Sequence, residues 1–139
     1  MKKSGNIYNL PSMVLLLLGI SDLVRGFLHT YEVSWAATTF AKLDLSYVRS
    51  DQLTLLGAFG ISNILTGLIY ILISRKAKNI SPYILIIIPI AYALGWLGLK
   101  VSGISANALF LGKYFILIYL FVCIVTFGVF ISNKYSKTH

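Results

Sequence analysis

Carboxylates, thiols and imidazoles are scarce in this chain: 139 residues hold four Asp or Glu, one Cys and two His. A single cysteine, Cys123, excludes an intramolecular disulfide and a dithiol redox centre, and with them the quinone-linked thiol oxidoreductases. His29 and the terminal His139 cannot furnish a bis-His haem, a copper site or a histidine-rich zinc site from one chain. No glycine-rich loop stands in the strand-to-helix setting that cradles a nucleotide phosphate. Ser21 or Ser62 beside His29 and Glu32 would be the nearest approach to a nucleophile and base, and neither has a recognisable triad spacing. The sequence therefore predicts no metal, no cofactor and no enzyme activity residing in this chain alone.

Hydrocarbon is what the chain has in excess. With 58% hydrophobic and 12% charged residues and a mean hydropathy of +0.83, it has too little polar surface to cover a soluble core. Four apolar runs, at about 11–31, 53–74, 82–100 and 108–131, are long enough at about 1.5 Å per residue to cross a hydrocarbon layer of roughly 30 Å. The expected fold is all-α: a polytopic membrane protein, one four-transmembrane-helix domain over residues 1–139, with connections too short for a soluble domain.

A net charge of +8 raises nucleic acid as a partner, and the position of the charges argues against it. Lys2 and Lys3, then Arg75, Lys76 and Lys78, then Lys134 and Lys137 flank the spans on alternate sides of the apolar blocks, with no acid among them. That is the pattern of cytoplasmic segments. It predicts an N-in, C-in topology in the cell membrane, with residues 32–52 and 100–107 outside, and basic ends that attract anionic lipid headgroups. Lys2 and Lys3 ahead of Met13–Ile20 imitate a signal peptide, but the apolar run continues through Asp22 and Arg25 without a small-residue cleavage site, so the first span is read as retained. Asn79-Ile80-Ser81 matches a glycosylation sequon in a loop assigned to the cytoplasm, where transfer does not occur.

The first span carries the most informative residues. Asp22, Arg25, His29 and Glu32 fall within roughly 80° of one another at about 100° per residue, forming one polar stripe. Ionisable side chains at membrane depth face other helices, a partner subunit or a water-filled cavity rather than lipid. The stripe has an echo: residues 19–26 read Gly-Ile-Ser-Asp-Leu-Val-Arg-Gly and residues 60–67 read Gly-Ile-Ser-Asn-Ile-Leu-Thr-Gly. Extending it pairs Asp22, Arg25 and His29 with Asn63, Thr66 and Tyr70, and Gly19 and Gly26 with Gly60 and Gly67. Spans one and two run in opposite directions, so this would be an inverted correspondence with Asp22 and Asn63 near the bilayer midplane. Glycines seven apart share a face and let helix backbones approach closely, which predicts a tight antiparallel pair.

The other spans read as packing elements. Pro89 at the centre of span three removes a backbone hydrogen bond and favours a kink. Tyr92 and Trp96 follow it one turn apart, beside Gly95 and Gly98, and read as ordinary aromatic packing or an interfacial belt ahead of a ligand-stacking platform. Lys113 near the outer end of span four either snorkels to the interface or pairs with Asp22 or Glu32. Val33, Ala36, Ala37, Phe40 and Lys42 recur at near-helical spacing around Trp35, suiting a short interfacial helix at about 33–43. Ser50 before Asp51 suits an N-cap for span two.

Two functions fit this pattern. The first is a non-catalytic accessory subunit of a larger membrane complex, of respiratory or membrane-monooxygenase type, in which the stripe docks the chain or closes a buried ion pair. The second is a small transporter or proton-conducting oligomer, in which Glu32, His29, Arg25 and Asp22 line the outer half of a path and Asn63, Thr66 and Tyr70 the inner half. The near-balance of acids and bases on the outward side favours the first reading, because a satisfied buried network requires it. Other membrane subunits or self-association are the expected protein partners.

Overall fold

The computed structural model describes residues 7–43, 49–103 and 111–136. Lys2, Lys3, Asp44, Asn107 and Lys137 lie outside the described residues, as does the start of span four at 108. The described chain is helical: α1 (Asn9–Tyr31), a short α2 (Val33–Trp35) continued by one π-helical turn (Ala36–Phe40), α3 (Arg49–Lys76), α4 (Ser81–Val101) and α5 (Gly112–Tyr135). Four of them, Asn9–Tyr31, Ser50–Lys76, Ser81–Val101 and Gly112–Tyr135, are long and apolar enough to cross a membrane. The molecule is a small multi-pass membrane protein built as an all-helical bundle.

The local chemistry at the helix ends explains where they start and stop. α4 opens on Ser81-Pro82, where the missing proline N–H would be unpaired in any case, and continues as one helix through Pro89. Arg75 and Lys76 occupy the last turn of α3 and Lys134 that of α5, each favourable against the negative end of the helix dipole. Ser50 sits inside the first turn of α3 instead of capping it, because the helix already includes Arg49. The segment expected at 33–43 is helical only to Phe40, and Lys42 takes a left-handed φ of 51°. Ala36 and Ala37 turn inward, 2% and 0% exposed, while Trp35 remains on the surface.

α1 is the hub. It packs along α3 on one side and against the α4–α5 pair on the other, whereas α3 has little contact with α4 or α5. Leu15 and Leu18 of α1, Leu85 and Ile88 of α4 and Cys123 of α5 form the buried core, with Tyr70, Tyr92 and Tyr119 packed around it. Below the core, the Ser12 hydroxyl lies 3.2 Å from the Ser81 hydroxyl and 3.4 Å from the Lys78 carbonyl oxygen, tying the start of α1 to the α3–α4 turn. Phe130 of α5 meets Tyr8 and Tyr83 at ring distances of 5.5 and 6.4 Å. These contacts bring Arg75, Lys76, Lys78 and Lys134 to one end of the bundle, with Lys42, Lys100 and Lys113 at the other.

Close approach of α1 and α3 depends on four glycines. A Cβ added to Gly26 would lie 2.7 Å from the Gly60 carbonyl oxygen and 2.8 Å from the Ile64 amide nitrogen. One added to Gly67 would lie 2.6 Å from the Gly19 carbonyl oxygen. Gly19 thus faces Gly67 and Gly26 faces Gly60, an antiparallel register that places Asp22 and Leu23 level with Asn63 and Ile64. The contact Gly19–Gly67 maps onto Gly60–Gly26 under the 41-residue echo, so the pair is arranged about a local pseudo-two-fold axis passing between Asp22 and Asn63. No side chain larger than hydrogen fits these positions without separating the backbones.

Candidate functional site

Near the middle of α1, Asp22 is 2% exposed and Asn63 across from it on α3 is 5% exposed. The Arg25 Nη2 donates to Asp22 Oδ1 at 2.8 Å and to Asn63 Oδ1 at 3.0 Å. The Tyr119 hydroxyl of α5 donates to the other carboxylate oxygen, Oδ2, at 2.9 Å. Both carboxylate oxygens are therefore engaged, Oδ2 joining α1 to α5, while Arg25 carries the link on to α3 through Asn63. The Arg25 guanidinium also lies between two rings, 5.7 Å from the centroid of Phe59 and 5.8 Å from that of Tyr119. Such placement offsets part of the cost of taking the cation out of water.

The spacing on each helix explains the convergence. Asp22 and Arg25 are one turn apart on α1, Phe59 and Asn63 one turn apart on α3, and Tyr119 and Cys123 one turn apart on α5, so each pair shares a face. With the glycine register setting the height of α3 against α1, Asn63 meets Arg25 directly. Tyr70 and Cys123 lie a step further toward the basic end, within electrostatic reach of Asp22. Tyr92 of α4 borders Tyr70.

Of the residues singled out in the sequence, Asp22, Arg25 and Asn63 come together in one hydrogen-bonded group. His29 sits one turn above Arg25 with its ring 5.9 Å from Phe59. Thr66 stays outside, its hydroxyl bonded back to the Ser62 carbonyl at 2.9 Å. Tyr70 joins the apolar core rather than the hydrogen bonds. Glu32 lies at the end of α1, exposed, where its carboxylate needs no protein partner. Lys113 places its ammonium 5.2 Å from the ring of Tyr114, and Asp22 takes Tyr119 as its α5 partner instead. Gly19, Gly26, Gly60 and Gly67 all stand at the α1–α3 contact.

Tyr119 and Phe59 are neighbours of this group that the sequence did not mark. Both sit in runs rich in apolar and aromatic residues, and which tyrosine of α5 turns toward Asp22 depends on the rotation of that helix. Three buried nitrogens near the group have no hydrogen-bond partner among the described residues: Arg25 Nε, His29 Nδ1 and Asn63 Nδ2. Among the described residues no cluster of three or more His, Cys, Asp or Glu could hold a metal ion. A groove of about 530 Å³ along α1, lined by Leu23, Phe27, Leu28, Tyr31 and Ile64 among others, contains none of the charged residues. The arrangement fixes the positions of α1, α3 and α5 relative to one another through the hydrogen bonds of Asp22, Arg25, Asn63 and Tyr119. No known protein family, characterised protein or solved structure matches this chain.

Proposed function

We propose that this protein is a non-catalytic accessory subunit of a larger membrane complex, of the respiratory or membrane-monooxygenase type, inserted N-in and C-in in the cell membrane. The observation that carries this reading is the closure of Asp22 by Arg25 and Tyr119: a charge pair whose carboxylate is fully engaged acts as a fixed joint between α1, α3 and α5. A joint of this kind gives the bundle one defined shape, and its long apolar faces on α4 and α5, including Leu94, Leu97, Leu117 and Phe121, are available to lipid or to neighbouring subunits. The end carrying Arg75, Lys76, Lys78 and Lys134 holds no acid among the described residues, whereas Lys42, Arg49, Lys100 and Lys113 at the other end stand with Glu32 and Asp51, and that difference supports the orientation. Purification from its native membrane in mild detergent tests the reading. Co-migration with a larger, compositionally defined complex is the expected outcome, and a homogeneous homo-oligomer active in flux assays would overturn it.

A second reading, a small transporter or proton- or ion-conducting oligomer, is favoured by one observation: Arg25 Nε, His29 Nδ1 and Asn63 Nδ2 are buried with no hydrogen-bond partner among the described residues. Flux by purified protein in liposomes, abolished by His29→Gln, distinguishes it. In an accessory subunit His29→Gln loosens association with the partner complex and no such flux exists.

A further inference from the structure

Where α1 begins and α3 ends, a groove of about 350 Å³ opens between the two helices, within the roughly 300–1,000 Å³ usual for small-ligand sites. Arg75 and Lys78 stand exposed at its rim, and the buried Ser12 and Ser74 form its polar floor. Met13 and Leu16 continue the lining along α1 as an apolar wall, with Met13 56% exposed. The site is thus cationic at one end and hydrocarbon-like at the other.

The surroundings decide the sign and kind of ligand. The one salt bridge among the described residues is Asp22–Arg25, so neither Arg75 nor Lys78 is paired with a carboxylate there. Asp22 is ten residues along α1 from Ser12, about 15 Å away by helical rise, and Glu32 and Asp51 lie at the opposite helix ends. A headgroup amine would find no anion in the groove. The first turn of α1 has no side-chain cap and no acidic residue, and its positive end meets the negative end of α3 in the same groove, so the two cations set the sign there.

We propose that this groove is a binding site for one anionic phospholipid, with the phosphate oxyanion between the Arg75 guanidinium and the Lys78 ammonium and an acyl chain along Met13 and Leu16. The chemistry recognised is a phosphate ester. A free phosphate ion could meet the two cations but would leave the apolar wall unused, which assigns the site to a lipid. The proposal stands independently of the accessory-subunit reading, since it concerns a groove formed within one chain.

The test is native mass spectrometry of the full-length protein in detergent with equal phosphatidylglycerol and phosphatidylcholine. One phosphatidylglycerol is retained in preference. Arg75→Gln with Lys78→Gln weakens its binding about 30-fold, from about fivefold per charge. Lys76→Gln, the neighbouring charge outside the groove, leaves binding unchanged, and Met13→Gln weakens lipid retention while leaving phosphate affinity alone. Equal losses from Lys76→Gln and from the groove variants would mean diffuse surface attraction and overturn the site. Absence of preference for the anionic lipid would overturn its headgroup assignment. Displacement of the lipid by millimolar inorganic phosphate would reassign the groove to free anions.

Discussion

Replacing either member of the Asp22–Arg25 pair unbalances a charge in a setting with little water, and the two replacements should differ in cost. The pair is closed at 2.8 Å, with the Asp22 side chain 3% and the Arg25 side chain 27% exposed. At an effective dielectric of about 20 the gross attraction at that distance is about 6 kcal/mol, against which the desolvation of both groups must be set. Arg25→Gln leaves a carboxylate that is almost wholly buried, held by Tyr119 alone, and should cost about 4 kcal/mol, in the range for orphaning a buried charge. Asp22→Asn leaves a guanidinium that keeps Asn63, two aromatic faces and its partial exposure, and should cost about 2 kcal/mol. The double variant removes both charges and should cost about 3 kcal/mol, which leaves a coupling of about 3 kcal/mol between the sites. Reversible unfolding in mixed detergent micelles, read by tryptophan fluorescence, measures all four corners of the cycle. Additive losses, or a larger loss from Asp22→Asn than from Arg25→Gln, would refute the assignment of the two residues to one another.

Glycine substitutions should separate sharply by position. Gly26→Ala and Gly67→Ala drive a Cβ into backbone atoms 2.6–2.8 Å away and should cost about 2 kcal/mol or more, with Leu at either position forcing α1 and α3 apart. Gly95→Ala and Gly98→Ala meet nothing within 4 Å and should be neutral or stabilising by up to about 1 kcal/mol in the same assay. For topology, a reporter fused after His139 should be active on the cytoplasmic side, because the basic residues at the ends of α3 and α5 belong there; external activity would invert the placement of every residue.

The helices were legible because membrane spanning is written in composition: each apolar run is bounded by charge or by a Ser-Pro start, and the observed ends at Tyr31, Lys76 and Val101 fall close to those bounds. The α1–α3 contact was legible for a different reason, since glycines at a seven-residue spacing have few uses in a membrane other than close approach. Helical phase alone overstated the stripe. Glu32 shares the angular sector of Asp22 but sits where the helix ends and solvent satisfies it. Thr66 matches Arg25 in the echo, yet its short side chain bonds to its own helix, as threonines in helices do. Tyr119 was hidden because hydropathy does not encode helix rotation. The Ser12–Ser81 contact had a faint signal, two serines each adjoining a proline at a helix start, Pro11-Ser12 and Ser81-Pro82, but nothing in one dimension brings those starts together.

That Asp22 and Arg25 share a helix also bears on the order in which the chain can enter a membrane. α1 has the lowest hydropathy of the four candidate spans, 1.6 against 2.7 for α5, and it precedes its partners during synthesis. An unpaired charge at a helix centre raises the cost of insertion by about 2.5–3.5 kcal/mol. Because the two charges lie three residues apart, they can neutralise each other as soon as one turn has formed, before Asn63 or Tyr119 has been made. Insertion of α1 is thereby uncoupled from completion of the bundle. Asn63 then arrives with α3, and Tyr119, 97 residues after Asp22, engages the carboxylate last. A chain stopped before α5 would carry Asp22 with its Oδ2 still lacking the Tyr119 donor, so the last helix completes the site that the first helix began.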